Sequence, residues 1–209
     1  MSDKALRARL EQGLAGLGLS LDEARTGQLL DYLALLSRWN RAYNLTAVDE
    51  PAAMVDRHLV DSLSILPWIE GKEIVDAGTG AGLPGVPLAI ACPNQHFVLV
   101  DSNGKKVRFL RQVRRELGLE NIEPVHARLE SFEPERRPDQ VVARALAPLP
   151  RLVEQLGHLL AAGATLLAMK GRLEDDECAA VADAYNVERI ELNVPGAGGA
   201  RSLAILRQS

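Results

Sequence analysis

The sequence has little cysteine and no long apolar run. Only 2 of its 209 residues are cysteines, and Cys92 and Cys178 lie far apart and form no CxxC pair. Neither a disulfide framework nor a zinc site is therefore expected, and the 4 scattered histidines indicate no metal site. Apolar runs fall far short of the roughly 20 residues of a membrane-spanning helix, and the first residues lack the apolar core of a signal peptide. We expect a cytoplasmic protein with reduced thiols and no membrane partner.

An excess of positive charge is also lacking. The formal net charge of -4 argues against a generally basic nucleic-acid binder but allows a local basic face. Apolar residues make up 47% and charged residues 25%, which is typical of a globular protein long enough to bury a core. No repeat or linker divides the chain. We predict a monomer with one domain over residues 1–209, made of a helical extension (1–65) and a cofactor-binding α/β core (70–209).

The N-terminal residues carry helical patterns. Ser20 and Glu23 have the spacing of a capping box, which satisfies backbone groups at the start of a helix. Apolar residues then recur at helical spacing up to a break near Asn40: Leu29, Leu30, Leu33, Leu36 and Trp39. A second helix is predicted from about Pro51, because the fixed backbone angle of proline suits a first turn. We therefore expect helices throughout this part.

From Glu73 onward, strand and helix patterns alternate. Strands are predicted at 73–78, 96–101, 122–126, 140–144 and 164–170. Helices are predicted at 83–91, 104–117, 149–160 and 173–185. This order is typical of right-handed crossovers in a parallel sheet. Two last strands, within 187–194 and 201–207, flank the loop "PGAGGA" and predict an antiparallel hairpin at one edge of the sheet.

The segment "DAGTGAGLPG", residues 76–85, places a glycine-rich turn directly after the first strand. Such a turn lets a ligand approach the backbone at the carboxyl end of the strand. Counted from Gly80 the spacing is GxGxxG, a weak indication of a dinucleotide. Counted from Asp76 it is DxGxGxG, and a carboxylate there suits the amino group and sulfonium of S-adenosylmethionine better than a pyrophosphate. The predicted cofactor-binding residues of the turn are Asp76, Gly78, Gly80 and Gly82.

A second carboxylate follows the next strand. Asp101 ends "HFVLVD", where it can accept hydrogen bonds from ribose hydroxyls, an arrangement that both cofactor classes use. The terminal hairpin distinguishes them, because a parallel sheet closed by an antiparallel hairpin is usual in S-adenosylmethionine-dependent methyltransferases. The predicted fold is α/β, Rossmann-like and of methyltransferase class I. Its mostly parallel seven-stranded sheet ends in a C-terminal antiparallel hairpin and is preceded by N-terminal helices.

Several segments together resemble one family from about Leu33 to the C-terminus. They are "YNLTAV", "RHLVDSL", "DAGTGAGLPGVPLAI", "DSNGKKVRFL", "ARALAPLPRL" and "MKG", in this order. The chain is similar in them to the RsmG (GidB) family, bacterial enzymes that methylate N7 of one guanine in 16S ribosomal RNA. The resemblance implies S-adenosylmethionine as cofactor and 16S ribosomal RNA, within the 30S subunit, as partner.

The resemblance also implies site residues. Cofactor contacts are implied for Gly78 and Leu83 in the turn, for Leu129 and Glu130 after the third strand, and for Arg144 after the fourth. Arg144 could serve the cofactor or the target base, and it is the one catalytic candidate. In its last strand the family has Arg-His-Leu where this chain has Arg-Ser-Leu. No role of that histidine can be assigned to Ser202.

The chemistry needs positioning more than proton transfer. Guanine N7 carries a free lone pair on the major-groove edge, so it can attack a methyl group without a general base. RNA would meet the helix after the second strand, which carries six basic residues and no acidic ones between Ser102 and Arg115: Lys105, Lys106, Arg108, Arg111, Arg114 and Arg115. Further cations are expected around the crevice: Arg57, Arg144, Lys170 and Arg201.

Two other functions fit parts of the sequence. The glycines at 80, 82 and 85 suit a nicotinamide-dependent oxidoreductase, but no YxxxK pair accompanies them. A non-catalytic RNA-binding assembly factor that retains a vestigial cofactor fold is the second alternative. The intact Asp76 and Asp101 argue against such decay, so the methyltransferase is favoured.

Overall fold

The computed structural model describes residues 2–209, which form a seven-stranded sheet of order β3-β2-β1-β4-β5-β7-β6. The strands are β1 (Glu73–Ala77), β2 (His96–Asp101), β3 (Ile122–His126), β4 (Gln140–Arg144), β5 (Thr165–Lys170), β6 (Tyr185–Glu191) and β7 (Ser202–Gln208). The first five are parallel, and β7 runs antiparallel to both β5 and β6. The predicted mostly parallel sheet with a terminal hairpin is confirmed.

Over residues 2–209, eight α-helices surround the sheet. They are α1 (Asp3–Gly16), α2 (Glu23–Tyr43), α3 (Pro51–Met54), α4 (Asp61–Leu63), α5 (Gly85–Ala91), α6 (Gly104–Leu117), α7 (Leu149–Ala161) and α8 (Asp175–Ala179). A π-helical segment, Val55–Val60, joins α3 to α4, and short 3-10 turns occur at Leu66–Trp68 and Leu129–Ser131. No helix among residues 2–209 is long and apolar enough to cross a bilayer.

Alternating strand residues supply two cores, one on each face of the sheet. In β1, Ile74 packs with the N-terminal helices, α5 and α6, whereas Val75 packs with α7 on the opposite face. Both side chains are almost completely buried. Because α1–α4 share a core with the sheet, they are fixed against it. The boundary between a helical extension and an α/β core stays a prediction.

The N-terminal helices differ in detail from the predicted ones. The cap of α2 is Asp22, whose Oδ1 accepts the backbone N–H of Arg25 at 2.8 Å, so the predicted capping box of Ser20 and Glu23 is wrong. An aspartate directly before the first turn reaches this N–H without the glutamate partner. The helix continues past Asn40 and ends at Tyr43, where Asn44 adopts a left-handed conformation with φ of 50°.

The helix predicted at 173–185 is also wrong in extent. Only Asp175–Ala179 is helical, and Tyr185 already pairs with Gln208 in the β6–β7 ladder. Alternate residues at the start of β6 are partly buried, which is the period of a strand. Pairing with β7 thus overrides the local helical pattern, and the loop between these two strands spans residues 192–201.

Two helical glycines provide a test of how α1 is seated. A Cβ on Gly13 would lie 2.5 Å from Cγ2 of the buried Val60, whereas a Cβ on Gly157 in α7 would meet nothing within 4 Å. We expect Gly157→Ala to stabilise the protein by about 0.5–1 kcal/mol through helix propensity. Gly13→Ala should destabilise it by about 1 kcal/mol, because overpacking costs about 1–3 kcal/mol. Urea unfolding measures both, and equal stabilisation by the two variants would contradict this packing of α1.

Candidate active site

The carboxyl ends of the parallel strands meet two neighbouring cavities. The first, which we name the glycine-turn cavity, has a volume of about 380 Å³. It is lined by Gly78, Asp101, Ser102, Lys106, Ala127, Arg128, Leu129, Glu130, Leu146, Arg151 and Gln155. This edge of an open α/β sheet is where ligands of such folds bind. Four of the predicted cofactor-binding residues, Gly78, Asp101, Leu129 and Glu130, therefore come together in one cavity.

The turn between β1 and α5 uses its glycines for two different purposes. Gly78, Gly80 and Gly82 all have positive φ, of 66°, 64° and 96°, which L-residues rarely adopt. A Cβ on Gly82 would lie 2.6 Å from Val86 Cγ2, so this glycine is required for protein packing. A Cβ on Gly80 would meet nothing closer than Lys106 Nζ at 3.8 Å. Gly80 therefore leaves open space for a ligand.

Asp76 lies beneath the turn. Its Oδ2 accepts hydrogen bonds from Thr79 Oγ1 at 2.5 Å and from the backbone N–H of Gly85 at 2.8 Å. The residue is 0% exposed and does not line either cavity, and its Oδ1 has no partner among residues 2–209. Burial raises the pKa of this carboxyl to about 6, against the opposing effect of the two hydrogen bonds. The geometry thus assigns Asp76 to holding the turn, and its direct contact with a ligand stays a prediction.

Asp101 at the end of β2 faces the glycine-turn cavity. One carboxylate oxygen accepts the N–H of Gly80 at 2.9 Å, and the other accepts the N–H of Asn103 at 2.8 Å. Lys106 Nζ lies 3.7 Å from the first oxygen. These contacts fix the carboxylate beside the open face of Gly80, where it can accept further hydrogen bonds from a ligand.

Of the remaining predicted cofactor-binding residues, two line the glycine-turn cavity and two do not. Leu129 and Glu130 line the glycine-turn cavity from the 3-10 turn after β3. The Glu130 carboxyl accepts hydrogen bonds from its own backbone N–H and from Nε2 of Gln155, the latter at 2.9 Å. These bonds hold the pKa of the carboxyl below its ordinary value. Leu83 is almost buried in the core and does not line this cavity. Arg144 lies outside it as well.

The second cavity, which we name the arginine cavity, has a volume of about 350 Å³. Its lining is Val48, Arg57, His58, Asp61, Arg144, Ala145, Met169, Lys170, Gly171, Leu192, Arg201 and Ser202. The lining includes all four cationic residues that the sequence predicts around the crevice, namely Arg57, Arg144, Lys170 and Arg201. Ser202 lines the cavity as well. Lys170 Nζ is bound to Glu177 at 2.8 Å and to the carbonyl of Ala147 at 3.1 Å.

A two-residue wall separates the cavities. Ala145 lines the arginine cavity and has a φ of 49°, a conformation that costs energy for a residue other than glycine. Leu146 lines the glycine-turn cavity, is 37% exposed, and covers Gly78. Ligands in the two cavities would therefore approach each other across the loop that follows β4.

Two contacts in this region involve residues that sequence reasoning did not assign to the site. Asp61 is 5% exposed and binds both Arg144 and Arg201. Tyr32 of α2 is buried and donates its hydroxyl to the carbonyl of Ala81 in the glycine-rich turn, at 2.7 Å. In the sequence Tyr32 has only the helical spacing of a core residue, and nothing in the local pattern relates Asp61 to residues 83 and 140 positions away.

His58 is held in its neutral form. Burial and the nearby charge of Arg144 lower its pKa to about 4. Its Nε2 lies 2.9 Å from Thr46 Oγ1, and its Nδ1 has no partner among residues 2–209. Over the same residues, no group of three or more histidine, cysteine or acidic side chains could hold a metal ion.

The raised pKa of Asp76 predicts a pH dependence of stability. Between about pH 4 and 6 the folded state keeps a proton on Asp76 that the unfolded state has lost, so this residue reduces stability as pH rises through that window. Asp76→Asn removes the titration. The free energy of unfolding of the wild type minus that of the variant should fall by about 1–3 kcal/mol from pH 4 to pH 7. Urea unfolding at both pH values tests it, and a difference that stays constant or grows with pH would contradict it.

Comparison with known proteins identifies the family. The family model described as "GidB: rRNA small subunit methyltransferase G" matches residues 25–204. A relative from Marinobacter nauticus, named ribosomal RNA small subunit methyltransferase G, is 50% identical over 96% of this chain and 94% of its own length. A relative of the same name from Legionella pneumophila is 47% identical over 98% of this chain and 96% of its own length.

Solved structures show the fold. Magnesium protoporphyrin IX methyltransferase from Synechocystis with bound SAM has a TM-score of 0.60 at 18% identity, and covers 90% of this chain and 99% of its own. A SAM-dependent methyltransferase from Aquifex aeolicus has a TM-score of 0.58 at 18% identity, covering 79% and 97%. The predicted Rossmann-like class I methyltransferase fold is confirmed, as is the family resemblance. The chain belongs to the rRNA small subunit methyltransferase G family.

Proposed function

We propose that this chain transfers the methyl group of S-adenosylmethionine to N7 of one guanine in 16S ribosomal RNA. The cofactor occupies the glycine-turn cavity and the target base occupies the arginine cavity. The observation that carries this proposal is the juxtaposition of the two cavities across Ala145 and Leu146 in a member of this family. The oxidoreductase and the non-catalytic assembly factor are not favoured, because the relatives that cover nearly the whole chain are named methyltransferases.

S-adenosylmethionine is the cofactor, and the glycine-turn cavity suits it. Asp101 can accept hydrogen bonds from the ribose hydroxyls, and the space left by the missing side chain of Gly80 admits the ligand next to the backbone. In the lining of the same cavity, Leu129 offers an apolar surface and Glu130 a carboxylate. The bound cofactor supplies an electrophilic methyl group on a sulfonium.

The chain's residues would act by positioning. With the cofactor bound, the lone pair on guanine N7 would form the new bond to the methyl carbon, and the carbon–sulfur bond would break and leave its electrons on sulfur. No proton leaves the base, so no general base is required. His58 is buried and neutral, and this reaction gives it no proton to take up. The work left to the protein is to hold the acceptor in line with the methyl group and to exclude water.

The basic face of α6 is the proposed contact for RNA phosphates. Lys105, Arg108 and Arg111 are exposed at helical spacing, and no carboxylate among residues 2–209 forms an ion pair with them. Farther along the helix, Arg114 lies 3.5 Å from Glu120. The helix begins at the rim of the glycine-turn cavity, where Lys106 contributes to the lining. We further propose that the protein acts in the cytoplasm, as a monomer, on the 30S subunit.

Methyl transfer tests the proposed function directly. Labelled S-adenosylmethionine is incubated with 30S subunits lacking N7-methylguanine and with naked 16S RNA, and the modified site is mapped by reduction and aniline cleavage. We expect a single N7 site in the 30S subunit. Cofactor binding without transfer to either substrate would contradict the proposed acceptor.

The cofactor site has its own test. Asp101→Asn should weaken binding of S-adenosylmethionine by about 10- to 100-fold, because a hydrogen bond to a charged group contributes about 1.5–3 kcal/mol. Asp139→Asn is the matched control, since Asp139 also accepts two backbone N–H groups, those of Lys72 and Glu73, but at the opposite end of the sheet. Calorimetric titration measures both variants. Equal losses of affinity would contradict the assignment of Asp101.

Charge reversal on α6 tests the RNA surface. The double variant Arg108→Glu and Arg111→Glu should weaken RNA binding and reduce the slope of log K against log salt by about 1.4, because each lost phosphate contact removes about 0.7. The control is the double variant Arg189→Glu and Arg207→Glu. It changes the net charge by the same amount, but on strands β6 and β7 at the opposite edge of the sheet. Unchanged binding of the α6 variant at low salt would contradict this surface.

A further inference from the structure

We propose that Asp61 is a positioning residue that fixes the directions of Arg144 and Arg201, so that the free edge of Arg144 meets O6 or a phosphate and not N7 of the acceptor guanine. The inference rests on the proposed function and assigns the restraint to a carboxylate contributed by the N-terminal helices. Asp61 begins α4, directly after the π-helical segment Val55–Val60.

Asp61 binds one arginine with each carboxylate oxygen. Its Oδ2 accepts Nη1 of Arg144 at 2.9 Å, and its Oδ1 accepts Nε of Arg201 at 2.7 Å. The carboxylate is almost buried, whereas the side chains of Arg144 and Arg201 are 18% and 24% exposed and line the arginine cavity. One buried acid thus joins the end of β4 to the residue before β7.

The remaining donors of the two arginines are used differently. Arg201 donates Nη1 to the carbonyls of Gly198 and Ala200 and Nη2 to the carbonyl of Ala197, so the loop before β7 holds it on the other side as well. Arg144 donates Nη1 also to the carbonyl of Arg57, at 2.9 Å, while its Nε and Nη2 have no partner among residues 2–209. Only one edge of Arg144 is therefore free to meet a ligand.

Guanine chemistry makes this restraint important. An arginine beside guanine preferentially forms a bidentate pair with O6 and N7. In an N7 methyltransferase such a pair would occupy the lone pair that attacks the methyl carbon. The free Nε–Nη2 edge of Arg144 is itself such a fork, so its direction decides what it covers. With Nη1 held by Asp61 and by the carbonyl of Arg57, this edge keeps one direction, in which it meets O6 or a phosphate and leaves N7 uncovered. The carboxylate also offsets part of the positive charge beside a base that becomes cationic as it is methylated.

The restraint predicts a specific kinetic change. In Asp61→Asn both guanidiniums remain and the cavity gains one unit of positive charge, so the KM for 30S subunits should stay the same or fall. The kcat should fall by about 100-fold, the scale on which small misplacements at a reacting centre act. Affinity for S-adenosylmethionine should remain within about twofold, because Asp61 does not line the glycine-turn cavity.

Asp56 provides a matched control five residues earlier, in the π-helical segment that precedes α4. It is 6% exposed and accepts Nε and Nη2 of Arg9 at 2.8 and 2.5 Å, but it does not line the arginine cavity. Asp56→Asn should lower the melting temperature about as much as Asp61→Asn and leave kcat near the wild-type value. If Asp61→Asn does not fold, Asp61→Glu keeps the charge and moves the carboxylate, and the same fall in kcat with retained cofactor affinity is expected.

Three results would overturn the inference. They are an unchanged kcat in the Asp61 variant, an equal fall in kcat in the Asp56 and Asp61 variants, and a rise in KM for 30S subunits without a fall in kcat. Absence of methyl transfer by the wild-type protein would instead refute the proposed function, and this inference with it. The wild-type assay therefore separates the two failures.

Discussion

The hydrogen bonds of one fully buried carboxylate hold the turn on which the rest of the site depends. Asp76 is the last residue but one of β1 and binds both Thr79, inside the turn, and Gly85, at the start of α5. Burial disfavours its charged form strongly enough to raise its pKa to about 6, so these two bonds have to offset a considerable desolvation cost. With the turn fixed in this way, the N–H of Gly80 donates to Asp101, which lines the glycine-turn cavity.

The N-terminal helices complete the site from the other side. The buried hydroxyl of Tyr32 ties α2 to the carbonyl of Ala81, and the amide of Gln28 reaches the carbonyl of Leu117 at the end of α6. Val48, Arg57, His58 and Asp61 line the arginine cavity, whereas none of residues 2–77 lines the glycine-turn cavity. The α/β core thus forms the proposed cofactor site alone. The N-terminal part of the chain supplies 4 of the 12 lining residues of the proposed acceptor site, where the specificity of such an enzyme is set.

The sequence predicts regular elements well where the local pattern and the tertiary structure agree. The bounds of β2, β3, β4 and α6 follow from apolar runs and from an amphipathic helix, because burial on a layered fold imposes those same periods. The prediction is wrong for the extent of α8, because the pairing of β6 with β7 overrides the helical spacing. It is also wrong for the cap of α2, because Asp22 caps the helix in place of the predicted capping box of Ser20 and Glu23. Both depend on contacts that local patterns do not contain.

The site residues show the same division. Asp101 and Gly78 are recognisable because the chemistry of a strand end depends only on neighbours in sequence. The pairing of Asp61 with two arginines and the bond from Tyr32 to the turn join residues at least 49 positions apart, and no single segment encodes them. The sequence singles out Asp76 by its position, but the residue is fully buried and lines neither cavity, because its surroundings depend on what packs over the turn.

Charge explains why the arginine cavity needs a carboxylate at all. Four cations line it, and the only acids bound to them are Asp61 and, on Lys170, Glu177, among the residues from 2 to 209. Such an excess suits the phosphates of RNA, yet the proposed reaction places a positive charge on the base. Two unit charges about 4 Å apart interact by about 4 kcal/mol at an effective dielectric constant of 20. A cation that helps binding would therefore oppose catalysis if it moved toward N7, and a fixed direction for each guanidinium reconciles the two requirements.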